Sequence, residues 1–326
     1  MRTVRIGLLG CGVVGGGFVR LLASDRERIA SRYGLDIEVT RILVRDLDRL
    51  RPGVDPKLLT RSAIEVIDHD CDVVVELIGG TASASCFIRR AIDLGRDVVT
   101  ANKALLAERG PEIFAAAAKR GVGVGFEASI CGAIPIIRAL QRGLAGDTIE
   151  RITGILNGTC NYILTRMERG LSFDDALSAA QEKGFAEADP TLDIEGVDAA
   201  QKLQILAELA FDAPVRRQTV TGIRAIKTAD IESAVRRGKT IRLIAEAQRV
   251  PGGVELCVEP REIATDDALA RIVDENNAVQ IRGRAAGELL LVGKGAGSLP
   301  TATAVLSDVV EIGSRRSTSA TAVAVA

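Results

Sequence analysis

Between Gly184 and Lys202 the chain reads Gly-Phe-Ala-Glu-Ala-Asp-Pro-Thr-Leu-Asp-Ile-Glu-Gly-Val-Asp-Ala-Ala-Gln-Lys, five carboxylates around one lysine with Pro190 and Gly196 fixing turns between them. Asp198 and Lys202 are four residues apart and share a face if this stretch is helical. The loop before them can bring Glu187, Asp189 and Asp193 to the same place. Such a set binds the ammonium group of a small charged substrate and moves a proton. The same residues also describe a solvated helix start, where carboxylates suit the positive end of the helix dipole and an i,i+4 ion pair is ordinary. The rest of the chain has to decide between the two.

Few other groups are available for proton transfer. The single histidine, His69, lies in a polar Asp68-His69-Asp70 run ahead of a strand pattern, so a different residue must serve. The cysteines Cys11, Cys71, Cys86, Cys131, Cys160 and Cys257 form no CxxC pair. That spacing argues against a zinc site or disulfide framework and reads as small buried hydrophobes.

The 326 residues suffice for two domains. Hydrophobic residues make up 47% and charged residues 26%, with 42 bases against 43 acids for a net charge of -1. This is the profile of a globular enzyme and gives no electrostatic case for nucleic acid. No apolar run approaches membrane-spanning length, and Met1–Arg5 leads into a strand rather than a signal peptide, so a cytoplasmic protein is expected.

The elements that must position the site begin with residues 4–9, an apolar strand pattern meeting Gly10-Cys11-Gly12-Val13-Val14-Gly15-Gly16-Gly17 and then a helix through Phe18, Leu21, Leu22 and Ile29. Strand, glycine turn and helix in that order form the dinucleotide fingerprint, in which glycines give a tight turn, close pyrophosphate approach and helix-strand packing. Strands over 37–44, 72–78, 97–100 and 122–126 alternate with helices over 84–94 and 112–120. The pattern predicts a doubly wound parallel sheet. The second strand ends in Val44-Arg45-Asp46: an arginine there favours the 2′-phosphate of NADP, an acid the ribose hydroxyls of NAD, and both residues also suit a plain exposed loop. Lys103 follows the strand ending at Thr100, at the edge where ligands bind in such sheets, or is a surface lysine at a helix start.

From Glu150 the alternation stops. A strand over 151–156, a helix opening at Asn157-Gly158-Thr159, helices over 174–183 and 194–211, and strands over 240–249, 254–259, 278–282 and 288–292 predict an α+β unit with its own sheet. The backbone amides of Gly158 and Thr159 suit an anion or a cofactor edge. A second glycine-rich loop, Gly293–Thr301, precedes a helix with Val305, Val309 and Ile312 on one stripe, expected to return to the first domain. The tail from Ser317 to Ala326 carries no signal and is expected to lack order.

Taken in order, Gly7–Gly17, Val99–Leu106, Glu127–Pro135, Gly154–Leu164, Lys183–Lys202 and Gly293–Asp308 resemble homoserine dehydrogenase over nearly the whole chain. The most specific parts are Gly-Ile-Leu-Asn-Gly-Thr-Cys-Asn-Tyr-Ile-Leu and the acidic stretch. The resemblance implies a Rossmann-like sheet over residues 1-133 and 300-326 and an α+β substrate-binding and oligomerisation domain over 134-299. It also implies reversible interconversion of L-homoserine and L-aspartate 4-semialdehyde with NADP or NAD, on the route to threonine, methionine and isoleucine, in a homodimer or homotetramer. Lys202 would carry the proton with Asp198 as its partner, and Lys103 would face the same pocket. Substrate contacts would come from Glu187, Asp193, Gly158 and Thr159. Cofactor contacts would come from Gly10, Gly12, Val13, Val14, Gly15, Arg45, Thr100, Lys103 and Gly297.

The run Glu127-Ala128-Ser129-Ile130-Cys131-Gly132-Ala133-Ile134-Pro135 is similar to the family's monovalent-cation loop, which would give Glu127 and the carbonyls of Ile130, Gly132 and Ile134 to sodium or potassium. A hinge without an ion fits the same residues. Many family members carry a further C-terminal amino-acid-sensing module, so no threonine feedback through this polypeptide is expected. A semialdehyde dehydrogenase would instead need Cys131 as a nucleophile with an activating base. A non-catalytic NAD(P)H sensor would bind cofactor without turnover.

Overall fold

The computed structural model describes the backbone of residues 1–323 and the side chains through Arg315. It divides into two compact units, Met1–Gly132 with Gly297–Ala326, and Ala133–Ala296.

In the first unit, strands β1 (Arg2–Leu9), β2 (Leu35–Leu43), β3 (Leu59–Thr60), β4 (Val73–Glu76), β5 (Asp97–Thr100) and β6 (Val124–Gly125) form one sheet in the order β3-β2-β1-β4-β5-β6. Every pairing is parallel. Helices α1 (Val13–Tyr33), α2 (Ala63–Asp68), α3 (Ala82–Asp93) and α4 (Lys103–Arg120) make the crossovers. This is the doubly wound order, with its switch point between β1 and β4. Strand β4 reads Val-Val-Val-Glu and is buried at all four positions, as a parallel strand covered on both faces must be.

The sequence pattern begins the α4 helix at Glu112. The structure begins it at Lys103, capped by the Asn102 side chain, which accepts the Leu105 N–H at 3.1 Å. Pro111 is tolerated because Arg109 leaves helical geometry (φ -137°) and the chain kinks there. Helix α2 and strand β3 are too short to leave a periodicity. The expected stripe Val305, Val309 and Ile312 lies on the C-terminal helix Ser298–Val323, in one core with Ile6, Leu8 and Phe18. The backbone is therefore helical through Val323, into the tail expected to lack order. Residues 324–326 lie outside the described residues.

In the second unit, β7 (Ile149–Ile155), β8 (Val215–Val220), β9 (Lys239–Val250), β10 (Gly253–Ala264), β11 (Asn276–Gly283) and β12 (Gly287–Lys294) form a mixed sheet in the order β12-β11-β7-β9-β10-β8. Its pairings are antiparallel except for β8 with β10. The helices are α5 (Ile136–Arg138), α6 (Gly158–Glu168), α7 (Phe173–Glu182), α8 (Thr191–Ile194), α9 (Val197–Ala210) and α10 (Thr228–Arg236). The single helix expected over 194–211 is two. Gly196 sits at φ +81°, a left-handed conformation that ends α8 and lets α9 start in a new direction. Strand β8 and helix α10 were not expected: β8 is an exposed edge strand reading Val-Arg-Arg-Gln-Thr-Val, with too little apolar alternation to register. No helix among the described residues is long and apolar enough to cross a membrane.

Candidate active site

The acidic stretch folds around α6 and α9. Asp198 and Lys202 occupy the first turns of α9 and are 7% and 9% exposed, too buried for a solvated helix start. The Lys202 ammonium donates to Asp198 Oδ2 at 2.7 Å and to the Leu156 carbonyl at 2.8 Å. A buried charge persists only with such partners.

The third member of the cluster is Asn157, 3% exposed. Its Nδ2 donates to Asp193 Oδ1 at 2.6 Å and Asp198 Oδ2 at 2.8 Å, while its Oδ1 accepts the Cys160 N–H at 2.8 Å and so caps α6. The Cys160 thiol donates to the Asp193 carbonyl at 3.1 Å. Burial first, then the Asp193 and Asp198 charges, push that thiol well above the ordinary cysteine range, so it remains a protonated donor.

The remaining acids separate. Glu187 is exposed on the loop before α8, where the Gln181 side chain donates to its backbone carbonyl at 3.1 Å. Asp189 accepts the Thr191 hydroxyl at 2.6 Å and the Thr191 N–H at 3.1 Å, bonds that lower its pKa. Glu195 pairs with Arg224. Asp193 thus joins Asp198 and Lys202, whereas Asp189 and Glu195 have local structural work. Gly158 meets the backbone: a Cβ there would lie 2.6 Å from the Glu275 carbonyl oxygen. The Thr159 hydroxyl donates to the Phe185 carbonyl at 2.7 Å.

In the first unit Gly10, Gly12 and Gly15 of the glycine turn differ in their surroundings. Gly10 is left-handed at φ +101°. A Cβ on Gly15 would fall 2.2 Å from the Gly10 carbonyl oxygen, so only glycine lets α1 pack this close to β1. Beside Gly12 there is open space. Gly12 is also the N-cap of α1 and provides no side-chain cap, which leaves the Val13 and Val14 amides at the positive end of the helix dipole without one. Open space, uncapped amides and positive potential fit a pyrophosphate.

Two further groups near this edge carry charge. Arg45 is exposed after β2, while Asp46 Oδ1 accepts the Asp48 N–H at 2.9 Å and the Arg49 N–H at 3.3 Å. Burial raises the Cys11 thiol, and the positive charges of Arg51 and Arg49 oppose that rise, so the basic loop after β2 acts on the glycine turn.

At the ends of β4 and β5, fully buried Glu76 accepts the Ile78 N–H at 2.9 Å and the Thr100 hydroxyl at 2.7 Å. Thr100 Oγ1 accepts the Asn102 N–H at 3.0 Å, and Asn102 Nδ2 donates to the Gly80 carbonyl at 2.7 Å. The Thr100 hydroxyl proton is therefore committed to Glu76. Lys103, half-buried, opens α4 immediately after this network. Gly297 precedes the C-terminal helix at φ +121° and its carbonyl accepts the Thr301 N–H at 3.2 Å.

In the proposed cation loop, Glu127 (2% exposed), Ile130 and Gly132 belong to the first unit and Ile134 to the second. Cys131 and Gly132 are both left-handed, at φ +50° and +53°, and the Ile134 carbonyl accepts the Ile136 N–H at 2.8 Å.

Sequence reasoning missed Asn157 as a side chain, Glu76, and Arg242 on β9. Each had the same signal, a polar group inside an otherwise apolar buried run.

Comparison with known proteins agrees with these features. The family model for homoserine dehydrogenase matches residues 135–310, and that for its NAD binding domain matches residues 10–127. A homoserine dehydrogenase of Bacillus subtilis is 42% identical over 317 residues, covering 96% of this chain and 73% of the relative. The crystal structure of a homoserine dehydrogenase from Thiobacillus denitrificans superposes with a TM-score of 0.92 at 44% identity, over 97% of this chain and 74% of that one. A hyperthermophilic archaeal homoserine dehydrogenase solved in complex with NADPH gives a TM-score of 0.82 at 26% identity, over 95% of this chain and 98% of that one. With both units matched in fold and sequence, the chain belongs to the homoserine dehydrogenase family, NAD(P)-dependent oxidoreductases acting on a CH–OH group.

Proposed function

We propose that Lys202, backed by Asp198, is the proton relay of this enzyme as it interconverts L-homoserine and L-aspartate 4-semialdehyde for threonine, methionine and isoleucine synthesis. The observation that carries the proposal is the buried Lys202–Asp198 pair at 2.7 Å. When bound, the nicotinamide exchanges the hydride with the substrate carbon. The hydroxyl proton then needs an acceptor, and a desolvated lysine both accepts and returns one. The exposed Glu187 carboxylate and the Asp193 carboxylate suit the substrate ammonium. Lys103 is a further candidate for the catalytic set, and Gly158 and Thr159 are candidates for substrate contacts.

Assigning the dinucleotide to the first unit rests on the glycine turn, where Gly10, Gly12, Val13, Val14 and Gly15 would cradle the pyrophosphate. Thr100 and Gly297 would line the cofactor through backbone atoms. NADP is the proposed cofactor because Arg45 is exposed while one Asp46 oxygen is already engaged by the loop; the NADPH-bound relative agrees with it. Arg45→Ala is expected to raise the KM for NADP roughly 10-fold or more, the size of a charge-assisted phosphate contact. The KM for NAD should stay within about twofold. Equal effects on both cofactors would remove Arg45 from the site.

Glu187→Ala is expected to raise the KM for L-homoserine by about 10-fold with kcat little changed, because it removes a contact made equally in ground and transition states. The measurement is initial-rate nicotinamide reduction by purified protein with L-homoserine and each cofactor. Absence of reduction with either cofactor across the neutral to alkaline range would sink the whole proposal.

A monovalent cation is proposed at Glu127 with the carbonyls of Ile130, Gly132 and Ile134. A carboxylate with backbone carbonyls is a donor set of hard oxygens, the kind suited to sodium or potassium. A homodimer or homotetramer is proposed through the second unit. Its edge strand β12 exposes Leu289, Leu290 and Val292 at 37%, 40% and 52%, an apolar edge that needs covering.

A further inference from the structure

Asn157 occupies a position that the relay alone does not explain. A capping asparagine needs only its side-chain oxygen, and serine or aspartate caps equally well. Here the oxygen caps α6 through the Cys160 N–H, and the amide nitrogen is directed the other way, onto two carboxylates. Asp193 comes from α8 and Asp198 from α9, which the left-handed Gly196 separates. One amide group thus ties three helices together.

The identity of the accepting atom matters most. Asn157 Nδ2 and Lys202 Nζ donate to the same oxygen, Asp198 Oδ2, at 2.8 and 2.7 Å. A donor on a carboxylate oxygen disperses its negative charge and weakens its pull on a second donor. We infer that Asn157 is the positioning residue of the relay: it sets Asp193 and Asp198 relative to one another and loosens the hold of Asp198 on the lysine proton. Asn157 itself transfers no proton. The inference rests on Lys202 being the relay.

Among the described interactions, Asp193 from α8 shares the Asn157 amide with this pair, and the Cys160 thiol from α6 feels the charges of Asp193, Asp198 and Lys202. Oxidation of homoserine requires neutral Lys202, so kcat rises with pH as the lysine loses its proton. Removing the Asn157 donor strengthens Asp198 as an acceptor, keeps the proton on Lys202 longer and moves that rise to higher pH.

Asn157→Ser keeps a capping oxygen and deletes the amide. Asn157→Asp keeps the cap and places a third carboxylate in the cluster. The expected result is a kcat near neutral pH reduced roughly 10- to 100-fold in Asn157→Ser, the scale of a lost hydrogen bond to a charged group, with little change in the KM for NADP. The acid limb of the kcat profile should move alkaline in both variants, farther in Asn157→Asp. Thermal melting of each variant is measured alongside. Wild-type kcat with an unmoved limb overturns the inference, as does a kcat loss that tracks a lowered Tm while the limb stays in place. Lys202→Ala separates this from the reading beneath it: if that variant stays active, the relay assignment has failed, and if it is inactive while Asn157→Ser behaves as wild type, only the role of Asn157 has.

Discussion

Lys202→Ala is expected to lower kcat for L-homoserine oxidation by about 10³-fold, within the range that positioned proton transfer contributes, and to leave the Kd for NADP within about twofold of wild type. The size follows from the chemistry. Hydride departure from the carbinol carbon without loss of the hydroxyl proton gives a protonated aldehyde, so the proton must leave in the same step or before it. Without the lysine, water, a far weaker base, has to accept it.

Lys202→Arg sharpens the test. An arginine retains the positive charge and can still pair with Asp198, but its guanidinium does not release a proton in the working pH range. If Lys202 only neutralises charge, the arginine variant recovers much of the activity. If it relays a proton, the variant stays as inactive as alanine. Stopped-flow and steady-state rates with cofactor binding by fluorescence distinguish these cases, and an active arginine variant would sink the relay.

The largest stability effect is expected at Arg242. On β9 it is 1% exposed. Its guanidinium donates to Thr240 Oγ1 at 2.6 Å, to the carbonyls of Ile241, Ala270 and Ile272 at 2.9, 3.2 and 3.3 Å, and to Glu168 Oε2 at 3.2 Å. Arg242→Ala would leave the partly exposed Glu168 carboxylate with the Thr240 hydroxyl alone and three backbone carbonyls facing a cavity. Breaking a buried ion pair from one side costs about 3–5 kcal/mol, a large share of the 5–15 kcal/mol typical of folded proteins. Urea denaturation followed by circular dichroism measures it. A change below about 1 kcal/mol would show that water or a neighbouring side chain replaces the guanidinium. Replacing Glu168 by leucine together with Arg242 by methionine should recover part of the loss, because no charge then remains buried.

The same comparison shows what a sequence can reveal. The glycine turn was legible because Gly10 and Gly15 are demanded by local geometry, a positive φ and a close approach, and such demands restrict residue type. Strand β5 was legible because the β-branched run Val98-Val99-Thr100 is what a doubly covered strand needs. Asp198 and Lys202 were legible as neighbours through helical spacing. Their burial was not, since it depends on Leu156 and Asn157 arriving from elsewhere in the chain. The break at Gly196 was hidden inside a pattern that helical periodicity continues across, and the side-chain role of Asn157 at the opening of its helix was hidden because it lies in contacts 36 and 41 residues away.

The first unit closes its core with the helix that begins at Ser298, after all of residues 133–296 have been made. On a ribosome, the core that includes Phe18 and Leu8 must therefore wait for its last layer while the entire second unit is synthesised, on the order of ten seconds at typical elongation rates. During that interval the nascent first unit presents apolar surface that chaperones recognise, and the second unit has time to fold on its own. Maturation can thus run opposite to sequence order: residues 133–296 can fold first, and residues 1–132 complete their core only once the helix from Ser298 has emerged.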